Sequence, residues 1–304
     1  MSYIDIVEAH DRIKPFILRT PIVSSITINS FFASEIFFKC ENLQKVNAFK
    51  YRGATNAVQK LSFAEVAKGV ATHSSGNHAA ALALAAKTRN IPAYIVMPTS
   101  APTSKVKNVE NHGGIITFCE PTLKAREKTL EIIIEKYGAT FIHPYNNFDI
   151  ICGQGTAAVE LIEEVENLDI IMAPVGGGGL LSGTSIAAKH FLPDIQVIGA
   201  EPANADDARR SLKAGKIIPI FNPDTIADGL RTYLGTLTFE IIKNNVNDIL
   251  TATEHSIKEA VKILHNQAEI LAEPSSAVPL AVMIENKPFF EGKRVGIIIS
   301  GGNI

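Results

Sequence analysis

The sequence predicts an α/β fold, and three observations carry the prediction. Short apolar runs recur along the chain, glycine-marked turns close them, and segments of helical period follow them. The runs are continuous rather than alternating, as suits parallel strands covered on both faces. Taken in order, AEVAKGVATHSSGNHAAALALAAK reads as a strand from Gly69 to His73, a Ser-Ser-Gly turn and an alanine-rich helix. IPAYIVMP is a second strand, followed by a helix within TSAPTSKVKNVENHG that has Gly113 near its end. GGIITFCE is a third strand. The helix after it, PTLKAREKTLEIIIEKYG, has Pro121 near its start and Gly138 past its stop. DIIMAPVGGGG is another strand and LLSGTSIAAKHF its helix, while IQVIGAE and RVGIIIS are further buried strands. The units between 63 and 146 are expected to form a small lobe. Residues 1–62 and 147–304 are expected to form a large one.

The bulk properties narrow the classes of function. A chain of 304 residues buries roughly three quarters of its unfolded surface and needs no disulfide or metal to hold a core. Hydrophobic residues make up 46% and charged residues 20%, with a net charge of −2 and no basic stripe. Nucleic acid and anionic membrane are therefore poor partners. The three cysteines, Cys40, Cys119 and Cys152, have no metal-ligand spacing and suit a reducing compartment. Asp5, Glu8 and Asp11 interrupt any signal-peptide core, so a cytoplasmic protein is expected.

The strongest chemical signal is APVGGGGLLSG, residues 173–183, where four glycines link an apolar strand to a helix. Backbone N–H groups freed of Cβ atoms can converge there on a phosphate. The dinucleotide fingerprint fails, because its last glycine falls on Leu181 or Ser182. The P-loop fails because Thr184 replaces its lysine. A phosphate cradle without nucleotide signatures, together with Lys50 beside Phe49 in NAFKYRG, points to pyridoxal 5′-phosphate. A free lysine titrates near ~10.4, so such a site must favour the neutral amine. THSSGNH, residues 72–78, offers hydroxyls, an amide and helix N-terminal N–H groups that suit a carboxylate; ordinary helix capping is the alternative. IIISGGN places Ser300 at a strand end, where a hydroxyl meeting the pyridine nitrogen makes a weaker electron sink than a carboxylate would. That disfavours transamination and suits expulsion of a β-leaving group.

Together these motifs resemble the fold-type II (tryptophan synthase β-like) pyridoxal-phosphate enzymes, in particular the serine/threonine dehydratase and serine racemase group. The resemblance runs from RTPI at 19–22 to SGGN at 300–303, through FKCENLQK, FKYRGA, SSGNHA, PAYIVMP, GQGT, PVGGGG, AEPANADD, TIADGLRTYLG and AEPSSAV. It implies two lobes, each a mainly parallel sheet flanked by helices, with the cofactor between them and the small lobe, 63–146, mobile and able to close on substrate, and a homodimer. It implies Lys50 as the Schiff-base lysine and base, Phe49 against the ring, Asn77 on the ring oxygen and Ser300 on the ring nitrogen. Gly176, Gly177, Gly178, Gly179 and Leu180 would hold the phosphate. Ser74, Ser75, Asn77 and His78 would surround the substrate carboxylate. The sequence departs from the family at Asn47, Ala48 and Ala80, positions that bear on substrate positioning. The chain ends at Ile304, so a C-terminal regulatory domain with isoleucine feedback is not expected.

The same resemblance gives three further expectations. GAEPANADDARR is similar to a divalent-cation loop, with Glu201, the carbonyl of Ala205 and Asp207 as ligands for Mg²⁺ or Ca²⁺; a solvated helix start is the alternative. Arg126 matches an arginine of serine racemases and hydroxyaspartate dehydratases that suits a second carboxylate, against a plain solvated helix arginine. Ser75 matches the racemases, where dedicated threonine dehydratases usually have alanine. The expected activity is an ammonia-lyase on L-serine and L-threonine, with serine racemisation alongside. The alternatives are a dedicated racemase, an L-threo-3-hydroxyaspartate ammonia-lyase, and a non-catalytic protein that binds an amino acid or the cofactor.

Overall fold

The computed structural model describes residues 1–221 and 223–304. Among the described residues ten strands occur in chain order: β1 (Ile22–Val23), β2 (Glu35–Cys40), β3 (Val70–His73), β4 (Ala93–Pro98), β5 (Gly114–Cys119), β6 (Thr140–Phe141), β7 (Ile170–Pro174), β8 (Gln196–Pro202), β9 (Asp248–Ala252) and β10 (Arg294–Ile299). They build two sheets. One has the order β1-β2-β10-β7-β8-β9 and is parallel except for the β1–β2 pair; the other has the order β5-β4-β3-β6 and is parallel throughout. The α/β expectation therefore holds, and every apolar run named above forms a strand. Central strands β7 and β10 are almost wholly buried, which explains their unbroken apolar character. Strand β5 lies at a sheet edge, and its Ile115 and Phe118 are exposed.

The glycines of the sequence motifs explain how three helices meet. The helix Lys50–Gln59 crosses the helix Phe148–Glu164 where Gly53 faces Gly153. A Cβ on Gly153 would sit 2.6 Å from the Gly53 Cα. The helix Phe148–Glu164 in turn meets the helix Gly179–Phe191 through Gly155 and Gly183. A Cβ on Gly183 would lie 2.5 Å from the Gly155 nitrogen. Side chains are absent at these crossings because the backbones occupy the space. Thus FKYRGA, GQGT and GGGGLLSG bring Lys50 and the glycine cradle into one rigid layer.

A buried charge cluster fixes the same layer. Arg52 binds Glu41 through Nε and Nη2 at 2.7 Å each, and Glu160 through Nη1 and Nη2 at 2.8 Å each. The Lys39 Nζ lies 2.7 Å from Glu160, and Thr20 Oγ1 donates to Glu41 at 2.6 Å. All five residues are essentially shielded from solvent. Burial pushes the Glu160 carboxyl up, but hydrogen bonds and charge from Arg52 and Lys39 outweigh it and hold its pKa below the usual value. The two carboxylates and two cations balance one another, as a buried cluster must.

Candidate active site

Lys50 opens its helix directly after the point where two distant segments join. Ala48 forms a β-bridge with Gly301, and the Phe49 N–H donates to the Ser300 carbonyl at 2.9 Å. The chain reaches this point through Val46 and Asn47, both in the left-handed region at φ 58° and 52°. A β-branched residue there is a strained choice. Asn303 holds it by donating from Nδ2 to the Val46 carbonyl at 2.9 Å, and the Gly302 N–H donates to the Asn47 carbonyl at the same distance.

The Lys50 side chain is partly open to the cleft. Its Nζ lies 5.1 Å from the Phe49 ring centroid and donates to the Pro144 carbonyl at 2.9 Å. Burial pushes its pKa down to about 8, with the Glu273 carboxylate opposing the shift. A lysine poised there loses its proton far more readily than a solvated one.

Glu273 had no role in the sequence reading. It is buried and accepts from Asn77 Nδ2 at 3.0 and 3.2 Å and from the Asn303 N–H at 3.2 Å. Asn303 Nδ2 also donates to Asn77 Oδ1 at 3.0 Å. Burial raises the Glu273 pKa to about 7, against the Asn77 hydrogen bond. This network joins the turn after β3 to the segment after β10. An ion pair between Lys105, on the helix Thr103–Asn111, and Asp228 makes a second connection of the same kind.

The glycine segment has the character of an anion cradle. Gly176, Gly177, Gly178 and Gly179 are buried, and their N–H groups meet no acceptor among the described residues. Gly178 has φ 87° and caps a helix of 13 residues that begins at Gly179. A Cβ on Gly177 would enter the Tyr145 ring, and one on Gly176 would lie 3.1 Å from the Gly229 carbonyl. Thr238 Oγ1 donates to the Gly177 carbonyl at 2.8 Å, which turns that peptide so that the next N–H faces the other way. Leu180 follows in the first helical turn and is buried. Ser300 is buried with its Oγ 2.9 Å from Ser276 Oγ. Four buried glycine N–H groups without an acceptor among the described residues, a lysine of lowered pKa and a strand-end hydroxyl fit pyridoxal phosphate: Gly176–Leu180 could hold the phosphate, Lys50 the aldehyde carbon and Ser300 the ring nitrogen.

The other expected residues fall in different environments. Ser74, Ser75 and Asn77 sit half-buried at the turn before the helix Asn77–Thr88, and a Cβ on Gly76 would meet nothing within 4 Å. His78 departs from the expectation for its side chain. Its ring is 2% exposed, with Nε2 3.2 Å from the Ile142 carbonyl, so the imidazole belongs to the core and only its backbone belongs to the turn. Arg126 is half-buried on the helix Leu123–Tyr137; its Nε is shielded from solvent without a partner, and no carboxylate pairs with it among the described residues. Two further groups were missed by the sequence reading. Tyr145 lies against the glycine cradle, and His143 stands edge-on to it at 4.6 Å between ring centroids.

The expected cation ligands lie beside β9. Glu201 is the penultimate residue of β8 and accepts from the N–H groups of Ala208 and Arg209 at 2.9 Å each. Asp207 is 1% exposed, and neither of its carboxylate oxygens has a partner. Ala205 is buried in the turn between them. Asp206 pairs with Arg210 at 2.8 Å instead. Among the described residues no three His, Cys, Asp or Glu side chains form a metal cluster, so a cation here would rest on two carboxylates, backbone oxygen and water.

Among the described residues no helix is long and apolar enough to cross a membrane. The family model described as pyridoxal-phosphate dependent enzyme matches residues 13–301. The chain is 50% identical to a beta-hydroxyaspartate dehydratase of Paracoccus denitrificans over 100% of its own length and 96% of that protein's. It is 43% identical to an L-threo-3-hydroxyaspartate ammonia-lyase of Saccharomyces cerevisiae, over 100% of its own length and 93% of that protein's. The crystal structure of serine racemase from Dictyostelium discoideum superposes with a TM-score of 0.96 at 49% identity, covering 100% of this chain and 99% of that one.

Proposed function

The chain belongs to the pyridoxal-phosphate dependent enzymes, and from that premise we propose that it is an ammonia-lyase of β-hydroxy amino acids, with L-threo-3-hydroxyaspartate as its preferred substrate. The observation that carries the substrate is Arg126, a half-buried guanidinium with no carboxylate partner among the described residues. A second substrate carboxylate satisfies it, and neither serine nor threonine has one. The relatives named as acting on hydroxyaspartate support this reading.

Bound at the cradle, the cofactor supplies an electron sink for the substrate's α-carbon. Lys50 Nζ takes the α-proton, which its lowered pKa permits near neutral pH. The Ser74–Asn77 turn holds the α-carboxylate on its N–H groups and the Ser74 hydroxyl, and Arg126 holds the distal one. The α-proton and the β-hydroxyl leave overall as water, and hydrolysis of the released enamine consumes one water and gives a 2-oxo acid and ammonia. Replacing Arg126 by alanine is expected to raise KM for 3-hydroxyaspartate by about 10- to 100-fold, the worth of a charge-assisted pair, and to leave L-serine nearly unaffected. Steady-state kinetics on both substrates checks this; equal effects on the two would remove Arg126 from the site.

A second reading adds serine racemisation, favoured by the half-buried Ser75 hydroxyl, which has no partner among the described residues. Racemisation needs a proton donor on each face of the α-carbon, and Lys50 serves one. Ser75→Ala is expected to abolish D-serine formation while sparing pyruvate formation from L-serine. Chiral chromatography of both proteins reads the result, and unchanged D-serine in the variant would rule the hydroxyl out.

The orphaned Asp207 supports a bound divalent cation, because a buried carboxylate without a partner is costly. Chelation is expected to lower Tm by about 5 °C, from the stabilisation that a ligand well above its Kd confers. Asp207→Asn removes the charge and should melt at the same temperature with and without chelator. A wild-type Tm indifferent to chelator would leave the loop a plain helix start.

A further inference from the structure

The turn His143–Asn147 lies beside Lys50 and is held by several hydrogen bonds. His143 Nδ1 accepts from the N–H of Asn146 at 2.9 Å and of Tyr145 at 3.3 Å. The Pro144 carbonyl accepts from Lys50 Nζ. Asn146 Oδ1 accepts from the Leu237 N–H at 2.9 Å, and Asn147 Oδ1 caps the following helix through the Ile150 N–H at 3.0 Å. The His143 ring is further held edge-on between Tyr145 and Phe141, at 4.6 and 5.7 Å between centroids.

These bonds decide the tautomer. A ring nitrogen that accepts two N–H bonds carries no proton, so the proton of the neutral imidazole is on Nε2. Burial, with His73 and Lys50 nearby, pushes the His143 pKa down to about 4, so the ring is neutral at physiological pH. Its Nε2 has no partner among the described residues and is not shielded from solvent. His143 therefore presents one fixed donor and no acceptor.

Its place in the cleft says what that donor meets. His73 stacks on Phe141 at 5.9 Å, Phe141 abuts His143, and Arg126 is close enough to His73 to depress its pKa, after burial itself. His143 thus adjoins Pro144, whose carbonyl binds Lys50 Nζ, and reaches His73 through the Phe141 ring. A four-carbon dicarboxylate with its α-carbon at Lys50 and its far carboxylate turned toward Arg126 would bring its β-carbon toward His143, the residue next to Pro144. We propose that the Nε2–H of His143 donates to the oxygen on the substrate's β-carbon and so selects β-hydroxy amino acids. This rests on the reading of Arg126 given above.

The test uses holoenzyme and two dicarboxylates without an amino group: malate, with each enantiomer tried, and succinate, which lacks the hydroxyl. Calorimetry should show one malate enantiomer binding about tenfold tighter than succinate, the worth of one hydrogen bond. His143→Asn keeps an acceptor near the Nδ1 position for the turn but has no distal N–H, and it should bind the two ligands equally. His143→Gln reaches the Nε2 position with an amide and should recover part of the preference. In the wild type, ¹⁵N-resolved histidine spectra should show His143 as the Nε2–H tautomer, shifted by malate and not by succinate. Equal binding of malate and succinate by the wild type, or a preference that survives in His143→Asn, would overturn the proposal while leaving Arg126 in place. Failure of both ligands to bind would remove the Arg126 reading and this one with it.

Discussion

Lys50→Ala is expected to lower turnover of every substrate by about 10⁴-fold and to lose the visible absorbance of lysine-bound cofactor, while the protein stays folded. In the proposed mechanism the lysine both attaches the cofactor and moves the α-proton, so its loss removes both. Among the described residues its Nζ hydrogen-bonds the Pro144 carbonyl alone and lies 5.1 Å from the Phe49 ring centroid, so alanine leaves a small space at the cleft wall rather than a hole in the core. The pKa of about 8 adds a signature. In protein stripped of cofactor, the rate of reconstitution should climb as pH rises through about 8, because the neutral amine is the attacking form. A lysine of ordinary pKa would place that climb near ~10.4. Absorbance spectra with stopped-flow reconstitution across pH measure both effects. Retention of the visible band in the variant would mean that another lysine holds the cofactor.

The second large effect is one of stability. Arg52→Met is expected to cost about 3–5 kcal/mol, because it leaves Glu41 and Glu160 buried with only Lys39 between them. Glu160 titrates below its usual value in the folded state. A depressed carboxylate stabilises the fold above its unfolded pKa, and that stability is lost as pH falls through the folded value. The wild type should therefore weaken in acid below about pH 4.5. The variant has lost the charge that depressed Glu160, so its deficit should shrink as the carboxylates protonate. Urea titrations of both proteins between neutral and acid pH would reveal this. A deficit that is constant with pH would assign the loss to packing rather than to charge.

Arg52 also shows what was legible in the sequence and what was not. The glycine motifs were readable because their cause is local: only glycine fits where Gly153 meets Gly53 or where Gly177 lies under the Tyr145 ring. The apolar strands were readable for the same reason, since β7 and β10 are buried on both faces. Strand β2 was not. Its Lys39 reads as a solvated residue and is buried only because Glu160, far along the chain, meets it. Glu273 is similar: its partners Asn77 and Asn303 lie 196 and 30 residues away, so AEPSSAV looked like a motif without a task. His78 misled in the opposite direction, because its place in SSGNHA says nothing of which way the ring turns. His143 did carry a weak local signal. In HPYNN a histidine precedes a turn that Asn147 closes as a helix cap, and an acceptor at that position has N–H groups to satisfy.

The central claim is that this cleft eliminates water from a β-hydroxy dicarboxylic amino acid. The most direct measurement is product analysis of L-threo-3-hydroxyaspartate incubated with the holoenzyme, with L-serine and L-threonine run beside it. The account predicts oxaloacetate and ammonia in equal amounts, at a higher kcat/KM than for either monocarboxylic substrate. No 2-oxo acid from any of the three, with cofactor bound, would contradict it and leave a protein that binds an amino acid without converting it.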